Sequence, residues 1–310
     1  MSYSITNIIL LAMVFEWYNI GRYSWQVINN PITRISQIIH WILKDRLVPT
    51  KWYSNWVALI IYIIGWYLGF SLHNWFNCSQ LGWILELILV TTLLAYKNMF
   101  YHVTNTLDYL YSTDLELCRY KLSLVVSKRV KKLDEHGICN SLLLALVENF
   151  NDGILLPLFY YLVAGLSGLM LYKTTDLIDS IFGNFKSSNR TFSLKVCKID
   201  SIMSTFPCFA LILLLNLIKI IKTNNINSLL NFQKWSIHFL ILKLMPWFNI
   251  KIKTGGKYGG LYIIGKQLNN SNHLPNGLDI VRLKIMLCMF TTILIVFITV
   301  IKGIMSQISK

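Results

Sequence analysis

Charged residues are scarce in this sequence and make up only 14% of its 310 positions. A soluble globular domain carries about a quarter of charged residues, so the composition excludes an ordinary soluble domain. Hydrophobic residues account for 55% of the chain, and its mean hydropathy is +0.51. The composition therefore predicts an integral membrane protein.

The motifs of several common protein classes are missing. The six cysteines are dispersed and form no CxxC or Cys/His cluster, which argues against structural zinc and a disulfide framework. No RNP, helix-turn-helix or zinc-finger pattern accompanies the basic residues, so we expect no nucleic-acid partner. No Ser/His/Asp order, HExxH or Walker A sequence is present. No internal repeat is evident, although a small transporter would be expected to carry inverted repeats.

Positive charge is in excess, with 29 Lys and Arg residues against 14 Asp and Glu residues and a formal net charge of +15. In a chain of this hydropathy, the excess indicates basic loops that face anionic lipid. We therefore expect membrane lipid to be a partner.

Apolar segments predict an all-α fold, a single polytopic membrane domain over residues 1–310. We expect about five transmembrane helices, at residues 56–70, 82–96, 154–171, 206–218 and 285–301. The remaining segments are a marginal span or interfacial helix at 5–18, a basic amphipathic helix at 22–51, a basic helical loop at 97–140, an apolar segment too short to span at 235–248 and a glycine-rich turn at 254–260.

The core of the pattern is the segment 146–181. Its uncharged part, residues 154–171, is long enough to cross about 27 to 30 Å of hydrocarbon. Alternatively, residues 141–171 form a re-entrant pair. Polar clusters lie at both ends of the uncharged part, namely Glu148, Asn149, Asn151 and Asp152 before it and Lys173, Asp176, Asp179 and Ser180 after it. Because charge is scarce, carboxylates at both ends of one apolar stretch indicate a site.

Residue spacing places each cluster on one helical face. The first face, if the helix runs that far, holds Glu148, Asn151 and Asp152; the second holds Lys173, Asp176 and Ser180, with Asp179 at its edge. Two such faces can bind Mg²⁺ through oxygen ligands and steady the phosphates of a nucleotide. In the alternative, Lys173 and Asp176 form a helix-end ion pair and Asp152 caps a helix. Spacing alone leaves both interpretations open.

Glu86 lies inside a predicted span, where a carboxylate is costly in lipid. It is expected to face protein, water or a partner. A structural, protonated Glu86 and a functional one are equally compatible with the sequence.

Short motifs recur in a fixed order around the core segment. They read LDEHGI at 133–138, VENFNDG at 147–153, PLF at 157–159, GLSG at 165–168, YK at 172–173 and DS at 179–180. This order and spacing resembles the CobD/CbiB family of cobalamin-biosynthesis membrane proteins, the adenosylcobinamide-phosphate synthases. The chain departs from the family pattern at 127–130, where SKRV stands in place of GRDT, and it has no counterpart of SPNAGWPEA.

The resemblance implies ATP-dependent formation of an amide bond. Aminopropanol or its phosphate would be joined to adenosylcobyric acid, giving adenosylcobinamide or its phosphate. ATP and Mg²⁺ would be the cofactors, and a corrinoid and a small amine the substrates. Other corrinoid-pathway enzymes are expected partners, and the bacterial inner membrane is the expected location of this multi-pass protein.

The resemblance also implies roles for individual residues. Catalytic roles fall to Glu148, Asp152, Lys173, Asp176 and Asp179, with Lys173 contacting phosphate or carboxylate and the acids holding Mg²⁺ or the amine. Mg²⁺ would be bound by Asp152 and Asp179. Substrate contacts would come from His102, Asp134, Asn149 and Ser180.

The main alternative is a non-catalytic membrane protein of similar architecture, such as the AmpE-like sensors. The missing GRDT and SPNAGWPEA motifs favour this alternative. The motif run over residues 133–180 favours the enzyme.

Overall fold

The computed structural model describes residues 5–18, 51–94, 96–126, 128–182, 190–217, 250–253, 256–258, 261–263 and 271–308. These residues are predominantly helical, as the composition predicts. The predicted amphipathic segment 22–51, apart from Lys51, and the predicted apolar segment 235–248 lie outside the described residues.

Nine helices and one pair of short strands are found in the described part of the chain. The helices are α1 (Ile5–Tyr18), α2 (Lys51–Asn77), α3 (Gly82–Leu93), α4 (Tyr96–Tyr111), α5 (Leu115–Ser123), α6 (Glu135–Phe150), α7 (Leu156–Phe182), α8 (Arg190–Leu217) and α9 (Gly277–Ile308). A π-helical turn (Asn151–Leu155) joins α6 to α7. The strands β1 (Gly256–Tyr258) and β2 (Leu261–Ile263) pair antiparallel, with Tyr258 opposite Leu261. This pair of strands falls at the predicted glycine-rich turn and is an exception to the predicted all-α fold.

The chain divides into two compact units. One, the hairpin unit, is named for the helical hairpin that α7 forms and takes the described residues within 1–95 and 152–207. The other, the C-terminal unit, takes those within 96–151 and 208–310. The prediction of one membrane domain over the whole chain stays a prediction. Within the C-terminal unit, α6 packs against α4, α5 and α9.

Two helical stretches of the described residues are long and apolar enough to cross a membrane. One is Leu59–Asn77 within α2, and the other, Glu135–Ser180, runs through α6 and α7. Helix α3 is apolar but has only 12 residues, a rise of about 18 Å. Because this is shorter than the hydrocarbon layer, the predicted crossing at 82–96 is not confirmed. The helices predicted at 206–218 and 285–301 lie within α8 and α9, and their crossing stays a prediction.

Helix α7 reverses its direction at Ala164 and Gly165. Ala164 leaves helical geometry (φ −134°, ψ 17°), and Gly165 adopts φ 59°, a region that a Cβ atom disfavours. The rings of Tyr160 and Tyr172 consequently stack, with centroids 5.5 Å apart and planes within 5°. Twelve residues of straight helix would separate them by about 18 Å. The first arm, residues 152–163, therefore lies beside the second arm, residues 166–182.

This reversal overturns the prediction that residues 154–171 form one straight crossing. The uncharged stretch is folded in two, so neither arm uses its full length. The chain does form a helical pair here, although over residues 152–182 rather than 141–171, and the predicted re-entry into the membrane stays a prediction. The turn of the pair lies at Ala164 and Gly165 because glycine there tolerates the left-handed backbone.

Two glycines of α2 allow the second arm to approach closely. A Cβ on Gly69 would lie 2.5 Å from the carbonyl oxygen of Leu166, and a Cβ on Gly65 would lie 2.5 Å from Thr174 Oγ1. Their spacing is GxxxG, a pattern that lets helix backbones come together. The second arm is thereby held directly against α2.

Helix α8 also packs against the second arm. Val196 packs with Ile178 and Phe182 in a buried cluster. About two turns further along α8, the carbonyl of Met203 accepts a hydrogen bond from Tyr160 Oη at 2.9 Å. Asp200 lies between these two contacts at helical spacing, so it is on the face of α8 that meets the hairpin.

Candidate functional site

The reversal of α7 brings together the two polar ends of the uncharged stretch. Lys173 Nζ donates to the main-chain carbonyl of Asp152 at 2.9 Å, and Tyr172 Oη donates to Asp152 Oδ1 at 3.3 Å. Lys173 also forms an ion pair with Asp176 at 3.3 Å. Asp152 of the first predicted polar cluster and Lys173 and Asp176 of the second thus lie together in the hairpin unit.

Lys173 is mostly buried and has an N–H donor that its contacts with Asp152 and Asp176 do not use. Its side chain is only 13% exposed, and its ammonium lies 5.7 Å from the centroid of the Tyr172 ring, within cation–π range. An ammonium group has three N–H donors. Two of them are used by Asp152 and Asp176 among the described residues, which leaves one for an oxygen of a bound molecule.

The ion-pair alternative predicted for Lys173 and Asp176 is confirmed in part. The pair exists, but α7 continues to Phe182, so it does not sit at a helix end. The pair is also tied to Asp152 through Lys173. Asp152 itself lies in the π-helical turn rather than at a helix N-terminus. Lys173 and Asp176 are therefore part of a partly buried group of polar contacts that includes Asp152, and not an isolated surface ion pair.

Three carboxylates influence one another further along the second arm. Burial, together with the nearby Asp179 and Asp176 carboxylates, raises the pKa of Asp200 to about 7. The Tyr62 side chain lies close enough to Asp179 and Asp200 to interact with both electrostatically. Negative charge is thus concentrated on this face, which suits a metal cation or a protonated amine.

Asp152 and Asp179, the predicted Mg²⁺ ligands, can be compared with the ligands that Mg²⁺ prefers. Among the described residues, no three His, Cys, Asp or Glu side chains are arranged to hold a metal ion by themselves. Mg²⁺ usually takes one or two carboxylates and completes its shell with water and substrate phosphates. Asp152 and Asp179 are oxygen donors of that kind, and both lie in the hairpin unit.

Ser180, the remaining predicted residue of this unit, is exposed on the second arm, and its Oγ donates to the carbonyl of Leu177 at 2.7 Å. Lys173, Asp176 and Ser180 share an α-helical stretch that runs to Phe182. The predicted second face is therefore confirmed.

The predicted first face required an α-helix that runs through Asp152, and this condition is not met. Helix α6 ends at Phe150, and the π-helical turn begins at Asn151. Because a π turn is wider than an α turn, the i, i+3, i+4 spacing no longer aligns the side chains. Glu148 is exposed, whereas Asn151 is buried and its Oδ1 accepts a hydrogen bond from Cys208 Sγ at 3.3 Å.

Four predicted residues lie in the C-terminal unit, namely Glu148, Asn149, His102 and Asp134. Glu148 acts electrostatically on Lys128, whose pKa is nevertheless lowered by burial. Burial and the nearby Lys121 lower the pKa of His102, which therefore favours the neutral imidazole. Asp134 caps α6 by accepting from the amide of Gly137 at 2.8 Å. Asn149 is half-buried on α6.

Several residues of the site were not predicted. They are Tyr160, Tyr172 and Asp200. A glycine in the middle of an uncharged stretch is a known signal for a break, and Gly165 could have pointed to the tyrosine pair. Asp200 carries no comparable local signal, because its position depends on how α8 packs.

The chain is similar to known proteins over much of its length. A family model described as CobD/Cbib protein matches residues 9–238. The cobalamin biosynthesis protein CobD of Brucella suis is 29% identical over 190 residues, which cover 59% of this chain and 58% of that protein.

Proteins with the same name from two Sinorhizobium sources are also similar. The one from Sinorhizobium sp is 34% identical over 160 residues (51% of this chain, 49% of that protein). The one from Sinorhizobium fredii is 36% identical over 161 residues (52% and 47%). The chain thus spans about half the length of the curated relatives it matches. No solved structure matches the chain.

Proposed function

Since this chain belongs to the CobD/Cbib protein family, we propose that it forms an amide bond in cobalamin biosynthesis, the process for which its relatives are named. In the full proposal, aminopropanol or its phosphate is joined to a propionate side chain of adenosylcobyric acid at the expense of ATP. The product is adenosylcobinamide or its phosphate.

The reaction needs activation because a carboxylate is a poor electrophile. A propionate oxygen of the corrinoid attacks the γ-phosphorus of ATP, ADP leaves, and an acyl phosphate forms. The amine nitrogen then attacks the acyl carbon, the bond from that carbon to the phosphate oxygen breaks, and phosphate and a proton leave. Positive groups that are fixed near the phosphoryl oxygens lower both barriers.

The contact between Lys173 and Asp152 is the single observation that carries this proposal. It places a largely buried ammonium, with one N–H to spare, between the main-chain carbonyl of Asp152 and the carboxylate of Asp176. In the proposal, that N–H reaches a phosphate or carboxylate oxygen. Asp176 and Asp179, on the acidic face near Asp200, attract the amine as its ammonium form.

Mg²⁺ is proposed to be bound by Asp152 and Asp179. The ion would supply positive charge to the phosphoryl oxygens, and the two carboxylates would fix its position relative to Lys173. Glu148 is proposed as a further catalytic residue. The proposed substrate contacts are His102, Asp134, Asn149 and Ser180.

A multi-pass location in the bacterial inner membrane belongs to the same proposal. It is supported by the two long apolar stretches, Leu59–Asn77 and Glu135–Ser180, the second of which folds back at Gly165. Large apolar side chains of α2 are exposed, among them Ile63 at 57% and Tyr67 at 66%, as expected for a helix that faces lipid.

Turnover by the purified full chain in lipid nanodiscs tests the proposal. The assay supplies ATP, Mg²⁺, adenosylcobyric acid and aminopropanol phosphate, and it measures both the amide product and amine-dependent ADP release. Asp152→Asn and Lys173→Ala are each expected to lower the rate by about 100-fold. Lys198→Ala removes an exposed lysine of α8 and serves as the control.

Two results would count against the proposal. Near-normal amide formation by both variants would remove Asp152 and Lys173 from the site. Absence of product from the unaltered protein, together with failure to complement a cobinamide-requiring strain despite membrane expression, would favour a non-catalytic sensor.

A further inference from the structure

A fully buried carboxylate lies where three helical elements of the hairpin unit meet. Glu86 of α3 is 0% exposed. Its Oε1 accepts a hydrogen bond from Tyr161 Oη of the first arm at 2.6 Å. Its Oε2 lies 3.2 Å from His73 Nδ1 of α2. One side chain thus joins α2, α3 and the hairpin.

Packing alone does not account for this residue. Helix α3 reads GWILELILVTTL, and a leucine at position 86 would fill the space without a polar group. Burying a carboxylate is costly unless it is paired and hydrogen-bonded. Both oxygens of Glu86 meet that condition, and the chain of polar groups continues from His73 Nε2 to Asn77 Nδ2 at 3.1 Å.

Glu86 acts on the site through two consecutive tyrosines. Residues next to each other on a helix project about 100° apart, so Tyr160 and Tyr161 leave the first arm on different sides. Tyr161 is fixed by Glu86. Tyr160 stacks on Tyr172, whose hydroxyl donates to Asp152. A rotation of the first arm that releases Tyr161 would also displace Tyr160 from Tyr172.

We propose that Glu86 is a positioning residue that sets the rotation of the first arm through Tyr161 and thereby holds Asp152 against Tyr172 and Lys173. Its effect on catalysis rests on the proposed function. Its effect on the hairpin does not, and this difference separates the two tests.

The first experiment requires no turnover. Amide hydrogen exchange is measured in residues 152–163 of the full chain in nanodiscs, for Glu86→Leu, Glu86→Gln and Tyr161→Phe. We expect exchange about tenfold faster in Glu86→Leu and Tyr161→Phe, and close to the unaltered protein in Glu86→Gln, whose amide oxygen still accepts from Tyr161. Glu116→Leu and Tyr67→Phe, both at exposed positions, are the matched controls. Unchanged exchange in Glu86→Leu would overturn the proposal, even if the protein has no synthase activity.

The second experiment separates positioning from stability. In Glu86→Leu we expect kcat to fall by about tenfold while KM for ATP stays within about twofold, and Glu86→Gln to restore kcat. The double variant Glu86→Leu/Tyr161→Phe removes both partners, so its melting temperature should recover while its kcat stays low. Recovery of kcat together with the melting temperature would mean that Glu86 serves stability alone and would overturn the positioning role.

Discussion

Lys173 Nζ and the main-chain carbonyl of Asp152 are 2.9 Å apart, although 21 residues separate them in the chain. In a straight helix the same separation would be about 32 Å. The hydrogen bond therefore joins the start of the first arm to the middle of the second arm. The same lysine contacts Asp176, so the folding of the apolar α7 brings together three of the residues that we propose for catalysis.

Replacing Lys173 by methionine should destabilise the protein. The variant keeps most of the apolar side chain but removes the donors for Asp152 and Asp176, in a position that is 13% exposed. A part-buried acceptor left without its partner costs about 1–3 kcal/mol. Thermal unfolding in detergent should show a melting temperature several degrees lower. Lys198→Met, at an exposed position of α8, should leave it unchanged, and equal values for both variants would contradict the role of Lys173 in closing the hairpin.

Gly165 should tolerate substitution according to backbone preference rather than side-chain volume. A Cβ at this position would meet only Ile5 Cδ1, at an ordinary 3.6 Å, so crowding is not the main term. The φ of 59° is costly for most L residues, by about 1–2 kcal/mol, and less so for asparagine. From highest to lowest, the expected order of melting temperatures is the unaltered protein with Gly165, then the Asn, Ala and Val variants. A valine variant as stable as the asparagine variant would refute the left-handed turn.

The helices and the location of the polar clusters were predictable from the sequence. Helical content follows from hydropathy, and Lys173 and Asp176 share a face because their spacing is helical. The reversal was not predictable in the same way, because hydropathy records the length of an apolar run and not its direction. It depends on one backbone conformation at Gly165 and on a ring contact between residues twelve positions apart.

The environment of Glu86 shows the same limit. Its cost in lipid was predictable from its position in an apolar helix, and this indicated that a partner must exist. Which partner it has depends on tertiary packing, since Tyr161 comes from the first arm and His73 from α2. The α-helix that the predicted face of Glu148 and Asp152 required ends before Asp152, because a π-helical turn begins at Asn151, a change that residue spacing does not reveal.

The two glycines of α2 should differ in how their substitution can be relieved. A Cβ on Gly69 would meet the backbone of Leu166 and Ser167 at 2.5 and 2.6 Å, which cannot move independently of the second arm. A Cβ on Gly65 would meet the side chain of Thr174 at 2.5 Å. Overpacking of this kind costs about 1–3 kcal/mol.

We therefore expect both Gly65→Ala and Gly69→Ala to lower the melting temperature. Adding Thr174→Ala should partly restore Gly65→Ala and should not restore Gly69→Ala. Thermal unfolding of the four variants, with Thr174→Ala alone as the control, measures this difference. Equal rescue of both glycine variants would contradict the close approach of α2 to the second arm.

Stability should depend on pH through Asp200, which precedes the apolar segment 206–218. Burial and the carboxylates of Asp179 and Asp176 raise its pKa from 3.8 to about 7. Between these two values the folded protein holds a proton that the unfolded chain has released, so stability is greatest at the acidic end and decreases as pH rises through about 7.

Asp200→Asn removes the titrating proton and, with it, the free-energy cost of ionising a buried carboxyl beside Asp179 and Asp176. Without divalent cations, the melting temperature of the unaltered protein should therefore fall more between pH 5 and pH 8 than that of Asp200→Asn, while Asp108→Asn, at an exposed position of α4, should follow the unaltered protein. Parallel pH profiles for the unaltered protein and Asp200→Asn would show that Asp200 is not held among the acidic groups of the second arm.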